Sequence, residues 1–247
     1  MSYLSAPAEA RAAEGNTKIG FLTVPEVTAE AQQIFEEDVA ELGYVMNVSR
    51  LWAYQPVTAT GLFNLARQAN SADRLSVRQR VILVAACASA FGDSYCALVW
   101  GSKLAEASDA DTAAGVLRGV DHGLNTDEQA MAAWARKVAR DPNGTTAADV
   151  QALRDAGFSD SQIFTITVFV ALRLAFATVN DALGLRPDAA LRSAVPPVVL
   201  DAVKLGRPIE EGAQSDRAPG RTTRHDRPHG HRPCVRPAAR GGLDCQR

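Results

Sequence analysis

Residues 77–91 read VRQRVILVAACASAF, residues 92–93 read GD, and residues 94–107 read SYCALVWGSKLAEA. The first block is longer than a typical strand and is rich in Ala and apolar residues with no tight hairpin dipeptide, so it reads as a helix. Ser76 stands three residues before Gln79, the spacing at which each side chain satisfies an orphaned amide of the other's backbone at a first turn. Gly92 is placed to stop that helix and Asp93 to cap the next, which puts Cys96 at the third position of a new first turn. Two helices joined by a two-residue corner therefore set the pattern for the whole chain.

Working outward, Thr126–Gln129 and Ser159–Gln162 repeat the capping spacing, with Phe158 and Ile163 at the positions of a hydrophobic staple across the second start. After the first start, Met131, Trp134, Ala135 and Val138 share one face, and Asp141-Pro142-Asn143-Gly144 breaks the run. Further helices are expected over 25–42, 47–54, 56–69, 109–117 and 147–156, closed before the staple by Gly157. Strand signals are nearly absent, so the fold class is all-α, a helical bundle. Segments 81–91 and 163–177 are apolar on nearly every side and have to be covered all round, by other helices or by another subunit. A homo-oligomer is the corresponding expectation.

The chain has 247 residues, 47% of them hydrophobic, enough for a large core. With 26 basic against 28 acidic residues, the folded part gives no reason to expect nucleic acid or a membrane surface as partner. Residues 1–20 form an expected flexible segment without the charged and apolar regions of a secretory signal, so a cytoplasmic location is expected. The helical domain is drawn at 21–205 and a disordered basic tail at 206–247. From residue 212 on there are eight Arg and three acidic residues and hardly a large apolar side chain, too little to offset the ordering entropy. His225, His229, His231, Cys234 and Cys245 lie there without the paired spacing of a zinc site, so no metal is expected. No phosphate-cradling loop or nucleophile elbow stands out, and no cofactor is expected. Trp52, Phe63 and Trp134 fall at helical spacings and read as core.

Cys96 is the candidate reactive thiol. A helix N-terminus favours thiolate, but Asp93 supplies a like charge and Trp100 an apolar cover, both of which oppose it; Lys103, two turns away, is expected to offset part of this. Cys87 sits in an apolar helix and reads as packing.

In Leu42-Gly-Tyr-Val-Met-Asn47, Ala53-Tyr-Gln-Pro56, Leu75-Ser-Val-Arg-Gln-Arg80, Ala156-Gly-Phe-Ser-Asp160 and Asn180-Asp-Ala-Leu-Gly184, taken in order, the chain resembles the alkylhydroperoxidase-D-like and carboxymuconolactone-decarboxylase-like family. The resemblance implies that family's helical bundle, assembled as a homo-oligomer. Its dithiol peroxidases share Glu, eleven residues, Cys-x-x-Cys, three residues and His. On this sequence the pattern falls on Val81, Asp93, Cys96 and Trp100, so only the second sulfur is kept. A peroxide cycle needs a base for the thiol, a resolving thiol for the sulfenic acid and a proton for the leaving oxygen. The resemblance thus implies a peroxidase-type antioxidant oxidoreductase reduced to Cys96 alone and served by an external thiol reductant. Two other readings stay open: a catalytically inactive helical oligomer that binds a small ligand or a partner, and a decarboxylase-like lyase, for which the body offers His122 in the turn 120–123.

Overall fold

The computed structural model describes residues 18–211; the tail histidines and Cys234 and Cys245 lie outside them. The expected all-α class holds. Eleven helices are present among the described residues: α1 (Ala29–Leu42), α2 (Asn47–Trp52), α3 (Pro56–Asp73), α4 (Val77–Phe91), α5 (Ser94–Ala107), α6 (Ala110–Arg118), α7 (Thr126–Arg140), α8 (Ala147–Asp155), α9 (Asp160–Ala182), α10 (Leu191–Ala194) and α11 (Pro197–Ala202).

Helix α4 is the axle. Residues 81–88 are all buried, from Val81 to Ala88, because α5, α6, α7 and α9 pack around them. Its start is the expected Ser76 and Gln79 capping box and its end is Gly92 in left-handed conformation, donating to Ala88 O. The Ser159 and Gln162 box also forms. The start of α7 is shifted by one residue from expectation: Asn125 is the cap, paired with Glu128, since Asn accepts the third amide as well as a hydroxyl does and Glu128 also reaches Arg78 at 2.5 Å.

Helix α9 extends to Ala182, beyond the apolar run. Among the described residues it alone is long and apolar enough to cross a membrane. Its inner face, however, serves the core: Ile166, Phe169, Val170, Phe176 and Ala177 are buried together with Arg173 and Asn180. That face packs on α3, α4 and α7. The outer face carries Phe164, 71% exposed.

The folded body is wider than 21–205. A two-stranded antiparallel hairpin, β1 (Lys18–Ile19) and β2 (Leu22–Thr23), pairs Ile19 with Leu22 and buries Ile19 with Leu51, Tyr95 and Leu185. Gly20 makes its turn at φ +59 where a Cβ would lie 2.3 Å from Leu183 O; no other residue allows that approach. At the other end, residues 203–211 stay against the helices, with Glu210 N donating to Pro187 O at 2.9 Å. A buried clamp joins distant parts of the chain. Asp188 accepts from Asn47 N at 2.8 Å and from the Tyr95 hydroxyl at 2.5 Å.

Leu83→Ala, at a fully buried α4 position, should destabilise the protein by about 2–5 kcal/mol in urea unfolding. Val77→Ala, on the same helix but 49% exposed, should stay within about 0.5 kcal/mol.

Candidate functional site

Of the four positions singled out in the sequence, the corner between α4 and α5 brings together Asp93 and Cys96. Asp93 is the α5 cap: its Oδ1 accepts from Cys96 N at 3.0 Å, which sets the carboxylate beside the Cys96 side chain, whose thiol it acts on. Both residues are buried, Asp93 completely. Asp93 Oδ2 is buried with no hydrogen-bond partner in the protein. Trp100 is buried one turn on, and Val81 is core, sealed inside α4. Asp93 and Cys96 therefore touch; Trp100 lines the site; Val81 supplies only packing.

Burial pushes the Cys96 thiol well above the ordinary thiol range, and the charge of Asp93 and its hydrogen bond push it further. Arg173 pulls the other way. Burial likewise raises the Asp93 carboxyl, while its bonds to Cys96 lower it. Cys87, on α4, is driven up to about 12, by burial first, with Arg173 again opposing. Its sulfur donates to Val84 O at 3.4 Å, which suits the packing role expected of it.

Arg173 is the candidate site residue that sequence reasoning missed. It is 7% exposed, and its guanidinium lies 4.5 Å from the Trp100 ring centre, 5.4 Å from Phe63 and 5.5 Å from Phe169. Three aromatic faces thus hold a cation where it acts on both cysteines. A signal was available, since the three-and-four repeat 166, 169, 170, 173, 176, 177 and 180 places this one charge on the buried face of α9. Lys103, expected to offset the thiol's surroundings, instead sits 4.9 Å over the Trp100 ring, and the cation acting on Cys96 is Arg173.

Beside these groups, Asn180 Oδ1 accepts from Trp52 Nε1 at 2.8 Å, and Asn180 Nδ2 is buried without a partner. Trp52 stacks on Phe176, ring centres 5.2 Å apart, and Phe63 meets the same ring at 5.1 Å. These two aromatics are half-buried walls between α3 and α9, whereas Trp134 is core and donates to Thr167 at 3.0 Å. A cleft of about 10 Å³ reaches Arg173 between Phe63, Asn70, Arg80 and Phe169, room for about one water. His122 is exposed in the α6–α7 connection, on a surface depression with Asp111 and Arg118, and is not among the groups acting on Cys96.

No family model and no curated protein sequence matches the chain. Solved structures do. A peroxidase-related protein with the alkylhydroperoxidase AhpD core from Ralstonia eutropha JMP134 is 23% identical over 70% of this chain and 95% of its own, with a TM-score of 0.58. A peroxidase-related protein from Silicibacter sp. TM1040 is 23% identical over 72% and 97%, TM-score 0.60. The debrominase Bmp8, as a cysteine-to-alanine variant in complex with 2,3,4-tribromopyrrole, is 17% identical over 75% and 100%, TM-score 0.60. The fold expected from the sequence fragments is thereby found.

Asp181 offers a direct test of the site's charge balance. Burial, then the charge of Asp93, raise its carboxyl to about 7, with Arg207 opposing. The folded protein therefore holds this proton more tightly than the unfolded chain, and stability present below about pH 4 is lost as pH rises toward 7. A three-unit shift is nominally about 4 kcal/mol; for a half-exposed group, solvent screening leaves about 1–2 kcal/mol. Asp181→Asn should stabilise the protein by that amount in urea unfolding at pH 8 and change little at pH 4. Equal effects at both pH values would show that ionisation of Asp181 is not what the site resists.

Proposed function

Starting from the alkylhydroperoxidase-D fold, we propose that this chain is a thiol-dependent hydroperoxide reductase that works through Cys96 alone. The observation that carries the reading is the Asp93–Cys96 contact, with Arg173 acting on the same sulfur. Where the resembling pattern has a first sulfur, this chain has a carboxylate that accepts from the backbone amide of the remaining cysteine. A carboxylate in that place cannot resolve a sulfenic acid, but it can move a proton.

The chemistry then runs as a one-cysteine cycle. The Cys96 proton passes to Asp93, leaving a thiolate opposite the Arg173 guanidinium. The thiolate attacks the outer oxygen of a hydroperoxide, the O–O bond breaks, and Asp93 returns the proton to the leaving alkoxide, giving an alcohol and Cys96 sulfenic acid. An external thiol condenses with the sulfenic acid, releasing water and leaving a mixed disulfide. A second external thiol displaces Cys96 and carries away the oxidised pair. Because burial and Asp93 hold the thiol protonated, the resting enzyme is slow, and since the Cys96 proton stays on Asp93 until the alkoxide takes it, the reactive fraction is set by that internal transfer and not by bulk pH.

Cumene hydroperoxide consumption with dithiothreitol should vanish in Cys96→Ser. Activity that persists in that variant, or an internal disulfide in turnover, would sink the reading. Asp93→Asn separates cap from base: Asn still caps a helix, so the fold stays. Removing the negative charge should speed thiol labelling at pH 7, while peroxide turnover should fall by about 10²–10⁴.

A second copy of the chain is the partner we propose for the outer face of α9. Phe164, Ala171, Ala175, Thr178, Val179 and Ala182 are exposed there, with Val168 and Leu172 half-buried, and no charged residue interrupts them. The row is self-complementary about its midpoint. Antiparallel pairing sets Phe164 against Val179, Val168 against Ala175 and Ala171 against Leu172, a larger side chain meeting a smaller one each time, and opposes the two helix dipoles favourably. Sedimentation at tens of micromolar protein should give a dimer for the wild type and a monomer for Ala171→Arg. A wild-type monomer at that concentration would refute the pairing.

A further inference from the structure

The first turn of α5 is buried although it ends a helix: Asp93, Ser94, Tyr95 and Cys96 are at most 5% exposed. One side of that burial comes from a segment without regular structure. After α11 the chain runs back across the corner. Gly206, at φ +65, lies so close that a Cβ there would be 2.4 Å from Gly92 O and 2.8 Å from Ser94 N. Ser94 Oγ donates to Arg207 O at 2.7 Å, and Arg207 Nη2 donates to Asp181 O at 3.2 Å. Arg186 donates to Pro208 O and Ile209 O, both at 3.2 Å. Glu210 N donates to Pro187 O at 2.9 Å.

The other groups around Cys96 belong to helices locked in the core: Cys87 on α4, Trp100 on α5 itself and Arg173 on α9. Opening any of those would break the central packing. The segment over the corner is held by edge hydrogen bonds and by the partly buried Val203, Leu205 and Ile209, the kind of element that opens locally at low cost. At the corner itself, Asp93 Oδ2 is buried without a hydrogen-bond partner in the protein. It gains a water partner if water enters, which favours opening.

We propose that residues 203–211 form a strap over the α4–α5 corner, and that release of this strap, not loosening of the helical core, admits reactants to Cys96. The inference rests on Cys96 being the reactive sulfur. Its test reads thiol access rather than peroxide turnover, so it stands or falls separately from the peroxidase reading.

The experiment is labelling of the full-length chain with methyl methanethiolsulfonate at fixed pH, followed by mass spectrometry of peptides cut at Phe91, which separates Cys96 from Cys87. Hydrogen exchange of the Glu210 amide is followed in parallel. In Gly206→Ala the added carbon meets the Gly92 carbonyl, so the strap has to lift; Cys96 labelling and Glu210 exchange should both rise at least tenfold, with Cys87 unchanged. In the wild type across 0–2 M urea, Cys96 labelling should follow Glu210 exchange and not that of α4 amides. Faster Glu210 exchange in Gly206→Ala with unchanged Cys96 labelling overturns the proposal. So does wild-type labelling that follows the α4 amides, a result that decides the matter even where Gly206→Ala fails to fold.

Discussion

Over residues 81–88, helix α4 has no face that water can occupy. An apolar rod of this length can be stable only if neighbours enclose it, and α5, α6, α7 and α9 do so. The corner that begins α5 is drawn inside by the same requirement. Its cap, Asp93, therefore meets the Cys96 amide in a medium from which solvent has been removed. Everything unusual about the site follows from that burial: a protonated sulfur, a raised carboxyl and a guanidinium fixed among aromatic rings.

Charges in such a place are tolerated only when held by specific partners. Arg173 has the faces of Trp100, Phe63 and Phe169, and Asp93 has the first turn of α5. Their opposite signs act on one sulfur in opposite senses, Asp93 raising its pKa and Arg173 lowering it. Where the dithiol pattern that the sequence resembles has a first sulfur, this chain has the Asp93 carboxylate. Trp100 has also changed role, from the place of a titrating side chain to a platform for a cation.

The sequence made α4 and α5 legible to the residue because Ser76, Gly92 and Asp93 punctuate them with side-chain chemistry that acts locally. The start of α7 was misread by one residue, because Asn125 and Thr126 are both competent caps and only the partner Glu128 decides between them. The hairpin at 18–23 and helices α10 and α11 were not legible. They are too short to show a period and are held by contacts with residues far along the chain. Of the site, Cys96, Asp93 and Trp100 could be read from spacing, whereas Arg173 acts from a helix some eighty positions away and shows only as a lone charge in an apolar run. The strap carries no motif, since its placement depends on Ser94, Arg186 and Pro187 meeting its backbone.

The Asp188 clamp has a bearing on how the chain is made. Its carboxylate joins the amide of Asn47 to the hydroxyl of Tyr95, residues that leave the ribosome long before it does. Until residue 188 emerges, α2 and the start of α5 lack the acceptor that fixes them against each other, and the Tyr95 hydroxyl has no buried acceptor. Contacts this remote in sequence are entropically the last to close. The contact between the N-terminal helices and α5 that Asp188 fixes therefore closes only once the chain's far end is in place. The same step gives the buried Tyr95 hydroxyl, next to Cys96 in sequence, its acceptor.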